Sequence, residues 1–309
     1  MVSTWLNGLV SGTVVNPAGY FGGGTEGSRV ATVDRFAFSD DSRTTLGTGL
    51  SAATRQLAGM ANSGTAGYFG GGNVSAGNVA TVDKFAFSDD SRTTLGTGLS
   101  AAQYTLGAMA NSGTAGYFAG GYPRVATVDK FAFPGDSRST LGTGLSAARA
   151  ELAGIANSGT AGYFGGGKEA SGNVATVDKF AFSDDSRTTL GTGLSAATTD
   201  PAGMANSGTA GYFGGGYVST RVATVDKFAF SDDSRTTLGT GLSTARNGMA
   251  GMANSGTAGY FGGGTINVSF ADQTTVDKFA FSDDSRTTLG TGLSAARSTL
   301  AAMANSGTL

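Results

Sequence analysis

The sequence contains no cysteine and no histidine. Without cysteine the chain forms neither a disulfide framework nor a thiolate metal site, and without histidine it lacks the commonest general base and metal ligand. No apolar stretch approaches the roughly 20 residues that span a bilayer, and the start, Met1–Leu6, lacks the basic residues of a secretion signal. We therefore predict no signal peptide, no transmembrane segment and no membrane insertion.

Charge is also scarce. Charged residues make up 14% of the chain, the net charge is −2, and acidic and basic residues are interleaved without a basic stripe. Nucleic-acid-binding proteins concentrate positive charge on one surface, so we expect no nucleic-acid partner. The 19 phenylalanines and 9 tyrosines argue for a packed core rather than a disordered chain. The 53 glycines, against 4 prolines, favour short strands joined by tight turns.

One heptapeptide, AGYFGGG at Ala66–Gly72, recurs nearly unchanged through the chain. Its Gly-Tyr-Phe core starts again at Gly19, Gly116, Gly162, Gly211 and Gly259. In the copy around Ala66 the pattern predicts four strands, at 57–61, 66–71, 79–87 and 93–99. Four short antiparallel strands in a unit of 46 to 49 residues have the size of one propeller blade. The rival architecture, a β-solenoid, has coils of about 20–30 residues.

The two ends of the chain predict how the ring closes. The segment 300–308 repeats a first strand without a second strand after it, and Gly19 lies in a second strand without a standard first strand before it. Pairing these two strands completes one blade and removes the open sheet edges. We therefore predict an all-β fold, a six-bladed β-propeller of four-stranded antiparallel blades closed by the C-terminal strand. Residues 19–309 form the propeller, and residues 1–18 are a separate cap or attachment arm.

Three features of the repeat resemble the kelch repeat: the paired glycines after an aromatic strand, the Val-Asp-Lys-Phe strand, and the Ala-Ala-Arg before the next unit. The resemblance covers residues 19–309, but Thr-Thr-Leu stands where many kelch repeats carry tryptophan. The near-identical tandem copies are also similar in style to kelch-type repeats of structural proteins of tailed phages. These resemblances imply a propeller that binds a partner protein or a surface glycan, with other virion proteins as further partners.

The turn between the third and fourth strands resembles a degenerate Asp-box. In Ser39–Leu46, arginine and leucine replace the glycine and tryptophan of the motif Ser-x-Asp-x-Gly-x-Thr-Trp. All six copies keep its aspartate, at Asp41, Asp90, Asp136, Asp185, Asp233 and Asp284. The resemblance implies a structural turn whose aspartate accepts hydrogen bonds from nearby backbone N–H groups. Calcium binding by the Asp-Asp pairs is the alternative, although Pro134-Gly135-Asp136 would lose a ligand.

Catalytic residues do not stand out. A kelch-like copper oxidase would require cysteine and histidine, and a sialidase-like site would require a unique arginine cluster with acids at the hub. The turn arginines, such as Arg43, repeat with the blades, and the three glutamates are Glu26, Glu151 and Glu169. The glycine runs precede no helix, so they do not indicate phosphate binding. We predict no catalytic activity, no cofactor and no metal site, with a glycan-cleaving enzyme as a remote alternative.

The repeats differ in two places. One is the loop after the glycine run, at Thr25–Arg29, Asn73–Asn78, Tyr122–Arg124, Lys168–Asn173, Tyr217–Arg221 and Thr265–Asp272; the other is the segment that follows Ser-Ala-Ala, for example 54–56. The up-and-down course of the strands puts both on one side of the disc, which we call the variable face, and puts the unchanging turns on the opposite, repeated face. Loops on a rigid frame commonly carry function. Drift after recent duplication explains the variation equally well.

Tyrosine and arginine are favoured interface anchors, and they occur often in these segments. The candidate partner-binding residues are Tyr104, Tyr122, Arg124, Arg149, Glu151, Lys168, Tyr217, Arg221, Arg246, Phe270 and Arg297. We expect a non-catalytic recognition or structural module, in the first instance a virion component located in the virion or outside the cell. A cellular or secreted kelch-type interaction domain is the alternative.

Overall fold

The computed structural model describes residues 16–268 and 270–306. Within these ranges the chain contains no helix and forms six four-stranded antiparallel sheets arranged in a ring, which confirms the predicted six-bladed propeller. The second strand of blade 1 begins at Ala18. The prediction that residues 1–18 form a cap or arm concerns mainly residues 1–15, which lie outside the described residues.

We number the blades 1 to 6 in chain order and the strands of each blade first to fourth from the axis outward. The first strands are Ala301–Ala304, Ala58–Asn62, Gly107–Asn111, Ala153–Asn157, Ala202–Asn206 and Arg246–Asn254. The second strands are Ala18–Gly22, Ala66–Gly70, Ala115–Ala119, Ala161–Gly165, Ala210–Gly214 and Ala258–Ile266. The third strands are Val33–Ala37, Val82–Ala86, Val128–Ala132, Val177–Ala181, Val225–Ala229 and Val276–Ala280. The fourth strands are Arg43–Thr45, Arg92–Thr94, Ser137–Thr140, Arg187–Thr189, Arg235–Thr237 and Arg286–Thr288.

Three of the loops between the second and third strands form small hairpins. Their strands are Thr25–Glu26 with Ser28–Arg29, Asn73–Val74 with Gly77–Asn78, and Lys168–Glu169 with Gly172–Asn173. The third and fourth strands are shorter than predicted. In blade 2, for example, the fourth strand ends at Thr94, and Leu99 N–H donates to the Ala80 carbonyl outside the main ladder.

The C-terminal strand closes the ring as predicted. Ala301–Ala304 pairs antiparallel with Ala18–Gly22, and Tyr20 lies opposite Met303. The side chain of Asn305 adds a link, because its Oδ1 accepts a hydrogen bond of 2.7 Å from the Ala18 N–H. The two ends of the described chain are therefore held in one blade.

The core lies between neighbouring blades, and this packing explains the repeated heptapeptide. Gly67 lies against Met303 of the preceding blade, so a Cβ at this position would overlap the methionine Sδ. Gly70 faces the Phe118 ring of the following blade in the same way. Between these glycines, Tyr68 stacks on Phe133 of the next blade with ring centroids 5.3 Å apart. The glycines are thus required by close packing between blades.

The kept aspartate of the Asp-box-like turn has a different role from the one expected. Its neighbour Asp40 accepts the local bond, from the Ser42 N–H at 3.0 Å. Asp41 instead accepts hydrogen bonds from Tyr260 Oη at 2.9 Å and Lys278 Nζ at 2.7 Å, both on the preceding blade. The second aspartate therefore joins adjacent blades. Within the described ranges, no group of three or more acidic side chains is placed to hold a metal ion.

Candidate recognition face

The two variable segments of each repeat meet on one face, as the strand order predicted. Backbone bridges join the segment before a first strand to the loop after a second strand at Tyr104 and Tyr122, and again at Thr199 and Tyr217. Together these segments form the variable face. Backbone hydrogen bonds join the two segments, so the side chains at these positions are less constrained.

The repeated face is held by side chains. Around the axis, the N–H of the serine in one Asn-Ser-Gly-Thr turn donates to the serine Oγ of the next, for example from Ser112 to Ser158 and from Ser158 to Ser207, both at 3.0 Å. The turn asparagines add a parallel set of bonds, such as Asn62 Oδ1 accepting from the Gly113 N–H at 2.8 Å. The serine and asparagine of these turns therefore bond a neighbouring blade, and this accounts for their repetition.

The exposed large apolar side chains of the described residues all lie on the variable face, in loops between second and third strands. They are Tyr122, Tyr217, Val268 and Phe270, with exposed fractions of 45, 41, 76 and 74%. Exposed aromatic groups of this size have no role in the core, and clustered on a rigid frame they are typical of interaction surfaces. Five of the predicted site residues contribute to the two patches that these side chains form.

The first patch, the tyrosine patch, consists of Tyr104, Tyr122 and Arg124. The two tyrosine rings lie with centroids 5.2 Å apart, and the Arg124 guanidinium carbon lies 6.0 Å from the Tyr122 centroid. Arg124 Nε also donates to the carbonyl of Lys168 at 3.1 Å, which fixes its position across the blade boundary. Lys168 itself is half-buried in its hairpin.

The second patch, the phenylalanine patch, consists of Arg221, Val268 and Phe270. The Arg221 guanidinium carbon lies 5.0 Å from the Phe270 ring centroid, within cation–π range. Arg221 Nε donates to Asn247 Oδ1 at 2.7 Å, so the arginine is oriented before any partner arrives. Tyr217 forms a backbone bridge with Arg221 at the edge of this patch.

Three predicted anchors are wrong. Arg149, Arg246 and Arg297 have no exposed surface, so their side chains are not available to a partner. Each forms an ion pair inside its own blade; the carboxylates are those of Asp178, Asp277 and Asp34, at 3.0, 2.8 and 2.6 Å. Loss of hydration lowers the pKa of all three arginines, and the neighbouring carboxylate opposes this shift. Their recurrence at one repeat position was the signal that marks them as framework.

At the centre of the variable face, one residue per blade surrounds the axis. This axial ring consists of Gln56, Thr105, Glu151, Asp200, Gly248 and Thr299, and each has a positive φ between 50° and 64°. Five of the ring N–H groups donate to the carbonyl of the preceding ring residue at 2.7–2.9 Å. Beneath the ring lies an axial cavity of about 80 Å³ with apolar walls that include Leu57, Leu106 and Leu152.

The axial ring brings together two acids, contrary to the expectation that no acids gather at the hub. Glu151 and Asp200 stand on adjacent blades, and the Asp200 N–H donates to the Glu151 carbonyl at 2.9 Å. Burial, reinforced by the charge of Glu151, raises the pKa of Asp200 to about 7, although a hydrogen bond from Asn247 Nδ2 opposes the shift. Asp200 was not among the predicted site residues, because its distance from Glu151 in sequence hides their proximity across the blade boundary.

No family model matches the chain, and no curated protein matches its sequence. The propeller is therefore established from the structure, while the kelch type and the phage setting stay predictions from the resemblance. Within residues 16–268 and 270–306, no helix has the length and apolar character needed to cross a membrane.

Proposed function

We propose that the protein is a non-catalytic recognition propeller that binds a partner protein or a surface glycan through its variable face. The observation that carries this proposal is that, among residues 16–268 and 270–306, the exposed large apolar side chains are confined to that face. Tyrosine supplies a large contact area at a low cost in conformational entropy, arginine is a favoured interface anchor, and both patches combine an aromatic ring with an arginine. The repeated face lacks exposed aromatic anchors of this kind among the described residues. It consists of short polar turns whose groups are already hydrogen-bonded to each other.

The setting we propose is a tailed-phage particle, with the propeller in a tail, fibre or decoration protein. Support comes from the tandem kelch-like repeats described above. Peptides of the chain detected by mass spectrometry in purified particles would support this setting. Detection in cell lysate or culture medium, without particles, would favour the alternative of a cellular or secreted interaction domain.

The binding proposal is tested with a triple variant, Tyr122→Ala with Tyr217→Ala and Phe270→Ala. Binding to a glycan array and to intact host cells should fall at least about tenfold, since truncation of an aromatic anchor costs about 2 kcal/mol or more. Stability should change by less than about 0.5 kcal/mol per site, because surface substitutions seldom do more. The control is Ser88→Ala with Ser231→Ala, two exposed turn residues of the repeated face. Equal binding by both variants would contradict the proposal.

The axial acids favour a second candidate function, glycan hydrolysis. A carboxyl group with a pKa near 7 beside a second carboxyl group is the pairing that glycosidases use for a general acid and its partner. Hydrolysis of aryl glycosides by the wild-type chain, lost in both Glu151→Gln and Asp200→Asn, would support this candidate. If the wild-type chain hydrolyses aryl glycosides no faster than the two variants, glycan hydrolysis is excluded as a function of the axial acids.

A further inference from the structure

The six blades share a buried aspartate but differ in the residue that faces it. The aspartates stand second in the third strand: Asp34, Asp83, Asp129, Asp178, Asp226 and Asp277. The facing residue comes shortly before each first strand; from blade 1 to blade 6 it is Arg297, Thr54, Gln103, Arg149, Thr198 and Arg246. Blades 1, 4 and 6 therefore supply a guanidinium group from their own chain, whereas blades 2 and 5 supply a threonine.

The arginine blades show how the guanidinium is held. In blade 1, Arg297 Nη2 donates to the Asp34 carboxylate at 2.6 Å. Its Nη1 donates to the carbonyls of Gly23 at 3.0 Å and Thr32 at 3.1 Å. In blade 6 the acceptors of Arg246 are the Asp277 carboxylate, the carbonyls of Thr275 and Phe261, and the Sδ of Met249. One carboxylate and a set of main-chain carbonyls thus accept the hydrogen bonds of the guanidinium group. The carboxylate oxygen also accepts from a serine N–H and hydroxyl, those of Ser294 in blade 1 and of Ser51 in blade 2.

The same acceptors line a cavity in blade 2. The Thr54 hydroxyl turns back and donates to the Ala52 carbonyl at 2.9 Å, so its side chain does not reach Asp83. The space that an arginine would fill is a cavity of about 70 Å³. Its lining includes Asp83, Thr81, Phe69 and Gly71, the counterparts of the residues that hold the arginines. The cavity opens on the variable face, where Ser51 and Ala52 are exposed.

Blade 5 repeats this arrangement. The Thr198 hydroxyl donates to the Ala196 carbonyl at 2.9 Å, and a cavity of about 50 Å³ is lined by Asp226, Thr224 and Phe213 among others. Blade 3 differs, because Gln103 reduces the corresponding space to about 10 Å³, roughly the room for one water molecule. In a ring of six, blades 2 and 5 stand opposite each other across the axis.

Charge and access also separate the two kinds of blade. Asp34, Asp178 and Asp277 have no exposed surface, whereas Asp83 and Asp226 are each 4% exposed and Asp129 of blade 3 is 5% exposed. Each of these two also has a turn arginine at 3.5 Å from Oδ1, and Arg92 and Arg235 have counterparts in the arginine blades. The carboxylates of blades 2 and 5 therefore have one cationic neighbour each, whereas those of blades 1 and 6 have two.

We propose that the cavities of blades 2 and 5 are binding sites for a guanidinium group. The planar fork of a guanidinium matches a carboxylate flanked by carbonyls, and an ammonium ion does not present the same fork. The ligand is either a small alkylguanidine or an arginine side chain of a partner, because both carry the same group. The proposal uses none of the aromatic patches, so it stands apart from the proposed function.

Titration calorimetry with ethylguanidinium chloride tests the sites by their number. The wild-type chain should bind two equivalents, Thr54→Arg one, and Thr54→Arg with Thr198→Arg none, because the introduced arginine fills each site from within. Arg149→Thr should gain a third equivalent. Ethylammonium chloride is the matched control and should bind at least about tenfold more weakly, since it cannot make the bidentate contact. Thermal melting of each variant reports that it is folded.

A second arm distinguishes the two sources of the guanidinium. Acetyl-Gly-Arg-Gly-amide is compared with its lysine analogue and with ethylguanidinium. Binding of the arginine peptide with loss in the double variant would identify a partner's arginine, whereas binding of ethylguanidinium alone would identify a small ligand. The proposal is overturned if ethylguanidinium shows no saturable binding, or if two equivalents still bind to the folded double variant.

Discussion

The bond between neighbouring blades at the Asp-box-like turn allows a quantitative prediction. Asp185 of blade 4 accepts hydrogen bonds from Tyr117 Oη at 2.9 Å and from Lys130 Nζ at 2.7 Å, both on blade 3. Its φ is 57°, a left-handed conformation that asparagine adopts readily. Asp185→Asn therefore removes the negative charge while it preserves the backbone and one acceptor oxygen. The change isolates the charged contact with Lys130.

The expected magnitude follows from the exposure of the pair. A hydrogen bond to a charged group contributes about 1.5–3 kcal/mol when buried, and an exposed ion pair contributes about 0–1 kcal/mol. Lys130 and Asp185 retain 24 and 23% of their side-chain exposure, so the value lies between these limits. We expect a loss of about 1–2 kcal/mol in the free energy of unfolding, or about 2–3 °C in Tm for a domain of this size. Burial and the bond to Asp185 raise the pKa of Tyr117, so the phenol stays a donor at neutral pH.

The boundary between blades 1 and 2 supplies the matched control. There an arginine replaces the lysine, and Arg35 Nε lies 3.8 Å from the Asp90 carboxylate while it donates to Tyr20 Oη at 3.2 Å. Since this ion pair is looser, Asp90→Asn should cost less than half as much as Asp185→Asn. Both variants are compared by urea denaturation and by thermal melting. Equal losses in the two variants, or no loss at Asp185, would refute the assignment of the stabilisation to the lysine contact.

Three further predictions concern the ring and its charges. Deletion of residues 300–309 should strongly destabilise the chain, because it removes the strand that completes blade 1; an unchanged melting temperature would show that the closing strand is dispensable. The pKa of Asp200 is raised to about 7 in the folded chain, so between about pH 4 and pH 7 the folded chain binds more protons than the unfolded chain. The contribution of Asp200 to stability therefore falls as the pH rises through that window. Asp200→Asn should flatten the dependence of Tm on pH in this range, and parallel Tm profiles of the variant and the wild type would contradict this. Arg149→Thr should lower the free energy of unfolding by well under about 3–5 kcal/mol, the usual cost of breaking a buried ion pair, because blades 2 and 5 already combine a threonine with the equivalent aspartate. A loss of about 3–5 kcal/mol in urea denaturation would show that Asp178 does not tolerate the change.

The fold was predictable because the length of the repeating unit can be measured directly in the sequence. A near-identical unit of four strand-like segments defines a blade, and the incomplete units at the two ends define the closure. Strand ends were less accurate. The pattern at 93–99 reads as one strand, but only Arg92–Thr94 pairs with the third strand. The remainder turns toward the next blade, where the Ser100 N–H and hydroxyl donate to Asp129.

The face that varies was also predictable, but the roles of its residues were not. Strand parity fixes the side of the disc on which a loop emerges, whereas burial depends on which way a side chain turns from that loop. Arg149 and Tyr104 occupy neighbouring positions of the same variable segment in different repeats, yet the first is buried and the second is part-exposed. The pairing of Glu151 with Asp200 likewise depends on the packing of adjacent blades around the axis and not on local sequence.

The contacts explain why repetition and variation divide between the two faces. On the repeated face the serines and asparagines of the Asn-Ser-Gly-Thr turns bond the next blade, as Ser112 does with Ser158, so a change in one unit disturbs its neighbour. On the variable face the adjoining segments are joined by backbone bridges, which tolerate many side chains. Variation there needs no selection and does not by itself indicate binding. The exposure of Tyr122 and Phe270 is different. The exposed parts of these rings do not contribute to packing within the fold, and contact between apolar surface and water is unfavourable. The case for recognition therefore rests on the exposed rings.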